Sequence, residues 1–411
     1  MCPDVTLRVA NAILGGDHDI GLKECAAKLP RSGDFSGLPT SDDITVFIHS
    51  GWRCSSTYVW HRFRALTGVR AYYEPWHEQL ARVTAATIRA ETPSNSGLRH
   101  PGGDTPYLRE FEVVLDPSGG VRGFDPGFAL DRFWIEPGAS DLEQQVYVAG
   151  LVAAARERNE IPVLACCRTL GRAGWLKRRF GGFHIVLIRD PVQQWLSFYS
   201  LRRRPRPTYF ELCHYVLLSE MAGCEDVSRA ILGAGFEGGA PLADRIAAVR
   251  ARLKRAPASI SFEAFLAVWL RSYLKALPHA DLIVDVDRLA RDQAYAREVE
   301  ATIEAGCGLR PDFSDCRAPP PHGSHPPVAW RKAVRTVVDL MDLRQAIIGP
   351  EAPPILFRKL APALAALTPG AAGRPAKLRE ALGGLVGGAW LARAPGRAYA
   401  AAAARMDGSR R

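Results

Sequence analysis

Short apolar runs that alternate with longer helical stretches constrain this chain more than any other feature. Ile44–Ile48, Val69–Tyr73, Ile161–Cys166, His184–Ile188 and Asp281–Val286 have strand length and are rich in β-branched and aromatic residues. Helical spacing of apolar residues separates them, at Ser56–Leu66, His77–Ala90, Ser140–Arg158, Ala173–Arg179, Gln193–Leu201 and Asp292–Ala305. Further helical patterns cover Tyr209–Met221, Ala240–Lys254, Phe262–Leu277 and Ala329–Ile347. Near-continuous apolar strands linked through helices pair in parallel and are covered on both faces. The expected class is therefore α/β, a mostly parallel sheet flanked by helices. Ser140 and Glu143 have capping-box spacing at the start of one helix.

Composition narrows the rest. Hydrophobic residues make up 47% and charged residues 23% of the 411, which excludes disordered, collagenous and coiled-coil chains. Neither a membrane-spanning run nor a secretory leader is legible, so a cytoplasmic location is the expectation. Nine cysteines at scattered spacings read as reduced, largely buried thiols; Cys166 and Cys167 should face opposite sides of a strand. The net charge of +10 is concentrated after Ile355, where ten Lys/Arg stand against Glu380 and Asp407. A basic pI therefore gives no argument for nucleic-acid binding by the main domain. The expected organisation is an N-terminal extension over 1–42, the α/β domain over 43–350 and a basic Ala/Gly/Pro-rich tail over 351–411. Within the tail, Leu378, Leu382, Leu385, Val386 and Trp390 share a helical face, which suits weak peripheral contact with an anionic membrane as well as a solvated extension.

Three places carry chemistry. After the first strand comes the turn Arg53-Cys54-Ser55-Ser56-Thr57-Tyr58, which enters a helix. A helix start directs unpaired N–H groups and a positive dipole end at whatever faces it, so this turn suits an anion. It equally suits a plain N-cap. The fourth strand ends in Arg189-Asp190-Pro191, with Ser197 two turns into the next helix. Ligands of open α/β sheets bind beyond the carboxyl ends of strands, so Arg189 and Ser197 would face the same crevice as Arg53 and suit a second phosphate. Arg189 paired with a structural carboxylate is the alternative. Glu74-Pro75-Trp76-His77 ends the second strand, and Glu74 there reads as a proton acceptor or as a dipole-stabilised acid beside a helix start.

Taken together, these segments resemble the sulfotransferases that use 3′-phosphoadenylyl sulfate (PAPS). Arg53 to Val59 looks like their 5′-phosphosulfate loop, with Ser55 where the family carries glycine. Arg189 to Ser197 matches their 3′-phosphate motif with its spacing of eight. Glu74 to His77 is similar to a motif of the Golgi-type carbohydrate branch, and Leu282–Ala290 is similar to the family's late strand and Asp-Leu turn. The resemblance covers roughly residues 44–310. It implies a P-loop-like fold, PAPS as sulfuryl donor, no metal and a carbohydrate or glycolipid hydroxyl as acceptor. It further implies Glu74 and Arg53 as catalytic, with Glu74 the general base and His77 either the neighbour that orients it or itself a base. Arg53 and the amides of Ser55, Ser56 and Thr57, with Cys54 and Tyr58, would surround the sulfonate and 5′-phosphate. Arg189 and Ser197 would hold the 3′-phosphate. Arg168 or Arg172 would contact the donor or an anionic acceptor, or stand as exposed loop arginines. The aromatics of 91–138 (Tyr107, Phe111, Phe124, Phe128, Phe133 and Trp134) would meet a sugar or form a satellite core, and His322 and His325 would cover the nucleotide or belong to a plain Pro/His loop. A P-loop-like kinase of a small hydroxyl compound and an inactive nucleotide-binding relative are the competing readings.

Overall fold

The computed structural model describes residues 44–92, 105–202, 206–233, 241–317 and 328–364. Among these, five strands form a sheet: β1 (Val46–His49), β2 (Val69–Tyr73), β3 (Ile161–Cys166), β4 (Phe183–Ile188) and β5 (Leu282–Asp285). Their order is β2-β3-β1-β4-β5 and every pairing is parallel. The helices that pack around them are α1 (Ser56–Arg64), α2 (Leu142–Arg156), α3 (Ala173–Phe180), α4 (Pro191–Tyr199), α5 (Tyr209–Ser219), α6 (Glu225–Leu232), α7 (Leu242–Arg252), α8 (Ala258–Ala276), α9 (Gln293–Cys307), α10 (Trp330–Leu340) and α11 (Pro354–Leu364).

Side chains alternate across a strand, and β4 divides its own between two cores. Val186 and Ile188 join the core built with α4, α5, α8, α10 and α11, while Ile185 and Leu187 join the core built with α1, α2, β1 and β3. Parallel pairing brings the carboxyl ends of all five strands to one edge. A row of buried polar groups also crosses the sheet. His184 Nε2 donates to Gly181 O at 2.7 Å, His184 Nδ1 meets His49 Nε2 at 2.9 Å, and His49 Nδ1 meets Thr169 Oγ1 at 2.9 Å. Burial lowers the pKa of His49 to about 3 and holds His184 well below the usual imidazole range.

Several local expectations need correction. The His77–Ala90 stretch is a 3-10 turn over Glu78–Ala81 followed by a short helix over Ala85–Ala90, because the Thr84 side chain caps a new start there. The N-cap of α2 is Asp141 rather than Ser140; its carboxylate accepts the Gln144 N–H at 3.1 Å. The Ala329–Ile347 pattern breaks into α10 and a short helix over Arg344–Ile348, with Asp342 at φ 50 between them. The tail does not begin at 351: α11 buries Ile355, Leu356, Leu360, Ala363 and Leu364 in the main core. Its low-complexity composition masked an apolar face whose large side chains each contribute about 1.5–3 kcal/mol on burial. The tail's Leu378–Trp390 face, His322, His325 and the extension over 1–42 lie outside the described residues.

The insertion's aromatics are core. Tyr107, Phe111, Phe128 and Phe133 are buried, and the partly buried Trp134 donates its indole N–H to Leu217 O at 3.0 Å. With the partly buried Phe124 they complete the two main cores rather than a satellite core, and burial takes Tyr107, Phe111, Phe128 and Phe133 out of reach of a sugar. No helix among the described residues is long and apolar enough to cross a membrane.

Candidate functional site

The turn after β1 is shaped by two left-handed residues, Arg53 at φ 64 and Ser55 at φ 59. Gly51 precedes them because a Cβ there would lie 2.6 Å from Gln194 Nε2, which donates to Trp52 O at 2.9 Å. Ser55 is the N-cap of α1 but makes no side-chain cap bond, and the first turn holds no acid. A helix start left this way keeps its positive end turned outward. Position 55, where the resembled motif carries glycine, is left-handed in this chain, and serine fills it at a cost of roughly 1–2 kcal/mol. Ser55→Gly should raise folding stability by up to about 1 kcal/mol, since glycine returns part of that gain as unfolded-state entropy. A lowered melting temperature would show instead that the serine side chain supports the turn.

Parallel strands β1 and β4 are neighbours, so their trailing turns meet. Arg53 Nε donates to Ser197 Oγ at 3.2 Å, and Arg189 Nη1 donates to Arg53 O at 3.0 Å. Arg53, Arg189 and Ser197, up to 144 residues apart in sequence, therefore form one polar group. Arg189 also has a carboxylate neighbour, Asp287 Oδ1, at 3.8 Å from its Nε. Ser56 and Thr57 are largely buried, and Thr57 Oγ1 lies 2.8 Å from Tyr73 OH, tying α1 to the end of β2.

Two residues of the turn point elsewhere. Cys54 is fully buried with its thiol 3.7 Å from Tyr273 OH, and burial pushes its pKa up to about 12. Its side chain cannot touch a bound group, so only its backbone remains available. Tyr58 donates to Asp315 Oδ1 at 2.7 Å, beside the Arg62–Asp315 ion pair. Burial and that acceptor together raise the Tyr58 pKa.

Glu74 follows β2 at φ 51 and is 5% exposed. Its Oε2 accepts from Arg168 Nη1 at 2.9 Å and from the thiols of Cys166 at 3.2 Å and Cys167 at 3.1 Å. Oε1 accepts the Cys167 N–H at 3.1 Å. The two thiols converge because Cys167 lies one residue past the end of β3, where strand alternation no longer applies; the expectation of opposite faces fails for that reason. Described cysteines are free, six buried and Cys224 half-buried. Cys2 and Cys25 lie outside the described residues.

Arg168 and Arg172 are 1% and 0% exposed, so neither is an exposed loop arginine. Arg168 also donates to Glu78 Oε2 and to Tyr209 OH, both at 3.3 Å, and its guanidinium lies 5.4 Å from the centre of the Trp52 ring. Trp52 belongs to the turn carrying Arg53, so Glu74, Arg168 and that turn are contiguous. Against the cost of burial, Arg168 holds the Glu78 carboxyl below its ordinary pKa. Arg172 donates to Gln144 Oε1 at 2.6 Å, and burial lowers its pKa to about 9. His77 accepts the Gln79 N–H on Nδ1 at 3.2 Å, which leaves the proton on Nε2. Burial, aided by Arg168, lowers its pKa to about 3. Neutral His77 is thereby a donor at Nε2 rather than a base.

Sequence reasoning placed Arg53, Ser197, Arg189 and Glu74 along one edge, and the structure brings the first three together with Glu74 nearby. It missed the depth of Arg168, and although a structural carboxylate beside Arg189 was the alternative reading, it did not identify that acid as Asp287 or Lys359 as the cation on the same acid. The composition of the Cys-Cys-Arg-Thr turn, polar directly after an apolar strand, was the available signal for Arg168. No protein-family model matches the chain, and searches of curated proteins and of solved structures returned no match.

Proposed function

We propose that this chain is a PAPS-dependent O-sulfotransferase with a P-loop-like sheet, acting on a hydroxyl of a carbohydrate or glycolipid. The supporting observation is the contact of Arg53 with Ser197 and Arg189 where β1 and β4 end. A donor bearing a 5′-phosphosulfate and a 3′-phosphate carries both on one ribose, so it needs two adjacent anion sites, each offering charge-assisted donors. The turn of α1, uncapped and without acids, suits the first. Arg189 and Ser197 suit the second.

In this reading the acceptor oxygen attacks sulfur in line. An oxygen–sulfur bond forms, the bond from sulfur to the 5′-phosphate oxygen breaks, and adenosine 3′,5′-bisphosphate leaves with that electron pair. The amides of Ser55, Ser56 and Thr57 with Arg53 stabilise charge on the leaving oxygen. Glu74 takes the hydroxyl proton on Oε1, whose one acceptance among the described residues is from Cys167 N–H. His77, neutral, offers its Nε2–H to the acceptor. Arg168 keeps Glu74 in place.

Calorimetric titration with adenosine 3′,5′-bisphosphate, beside ADP and ATP, tests the reading. The bisphosphate should bind selectively, and Arg189→Ala should weaken it at least tenfold, since a charge-assisted hydrogen bond is worth about 1.5–3 kcal/mol. Equal or tighter binding of ATP would favour the kinase reading instead. A nucleotide-binding protein without turnover is favoured by one feature, the ion pair that occupies Glu74 Oε2. Measured sulfuryl transfer that disappears in Glu74→Gln would exclude it.

A further inference from the structure

Carboxylates and cations crowd the ends of β4 and β5. Asp287 Oδ2 accepts the Asp190 N–H at 2.6 Å, and Asp287 Oδ1 lies 3.8 Å from Arg189 Nε. Lys359 enters the same space from α11, the last described helix. Its ammonium donates to Asp285 Oδ1 and to Asp287 Oδ2, both at 2.6 Å. The Lys359 side chain is 9% exposed and that of Asp287 24%. In such partly desolvated surroundings each charge is felt more strongly than in water.

We propose that Lys359 sets the anion affinity of Arg189 by holding Asp287 away from it. Asp287 is a built-in competitor, a carboxylate beside the guanidinium that would receive a phosphate. Arg189 and Lys359 share this one acid. While Lys359 hydrogen-bonds Asp287, the acid stops 3.8 Å short of Arg189, beyond hydrogen-bond length. Without Lys359 the Asp287 carboxylate closes on Arg189 and fills it. The C-terminal helix is thereby coupled to the phosphate site without lending it a ligand. Lys359 acts through Asp287 and is a positioning residue.

This inference rests on the reading of Arg189 and Ser197 as the 3′-phosphate site. The test is calorimetry on the full chain with adenosine 3′,5′-bisphosphate and, as the probe lacking the 3′-phosphate, adenosine 5′-monophosphate. Lys359→Met should weaken the bisphosphate roughly tenfold, the effect of one competing charge-assisted hydrogen bond fully formed, and leave the monophosphate unchanged. Lys359→Arg should keep the parent affinity, which shows that position 359 can change without loss of the site. Lys359→Met combined with Asp287→Asn should return to within about threefold of the parent, because the competitor's charge has gone. A double variant as weak as Lys359→Met, or a single variant that binds like the parent, overturns the coupling while the phosphate site stands. A parent chain that does not prefer the bisphosphate to the monophosphate overturns the site and the coupling together.

Discussion

Acidification from about pH 7.5 to about pH 4.5 should remove roughly 8 kcal/mol of folding free energy and unfold the protein. Burial lowers the pKa of His49 and His77 to about 3 and of His214 to about 4, and holds His184 well below the usual range. Unfolded imidazoles titrate near about 6.5. The folded chain therefore refuses protons that the unfolded chain accepts, so this part of the stability is fully present above about pH 6.5. It is lost progressively as pH falls toward the folded values. His49, His77 and His214 each cost on the order of 2–3 kcal/mol by about pH 4.5. His49 and His184 share a hydrogen bond, and ionising one opposes ionising the other, so the pair counts at least once. With His77 and His214 that makes three protons, and the sum rivals the whole stability of an ordinary domain. Urea denaturation across this range should show stability falling by about 4 kcal/mol per pH unit below about pH 6. His214→Phe tests the accounting. His214 packs against Phe198 at 5.3 Å and Phe265 at 5.1 Å between ring centroids, so phenylalanine suits the site and the slope should drop by one proton. Stability unchanged between pH 7 and pH 5 would contradict the argument.

Strand positions were legible because a strand buried on both faces must be apolar throughout. The runs at Val69–Tyr73 and Ile161–Cys166 coincide with β2 and β3. A mostly parallel sheet followed from the intervening helices, whereas the strand order did not. Order depends on which helix covers which face, and periodicity is silent about that. Arg53, Ser197 and Arg189 were legible for a related reason: each lies within two turns of a strand's carboxyl end, and parallel strands gather those ends.

Other features were hidden for equally physical causes. Glu74 and Arg168 are 94 residues apart, and Lys359 and Asp287 are 72 apart. No local pattern announces that two charges will be buried against each other. The left-handed backbone at Arg53 and Glu74 was unreadable because neither is glycine, and at Ser55 only the glycine of the resembled motif signalled it. Three such residues around one site store roughly 1–3 kcal/mol each, which only the surrounding packing can offset. The missed α6 is a two-turn helix behind a non-capping Cys224, so no start signal marks it in the sequence.

Arg168→Met should destabilise the fold by about 3–5 kcal/mol, the largest loss expected from any single change near the site. Arg168 is 1% exposed and bonds Glu74, Glu78 and Tyr209, so its removal strands one buried acid and loosens another. Glu74→Gln should cost less, about 1–3 kcal/mol. Its amide oxygen can still accept the Cys167 N–H, and Arg168 keeps Glu78. The double variant should fall short of the sum by about 1–3 kcal/mol, the mark of groups in one network. Urea unfolding of the four proteins measures all of this. The asymmetry also separates chemistry from support. If Glu74→Gln stays folded with a small loss yet abolishes sulfuryl transfer at saturating donor, the carboxylate acts on the acceptor proton. If instead Glu74→Gln costs as much as Arg168→Met, the pair is a structural ion pair.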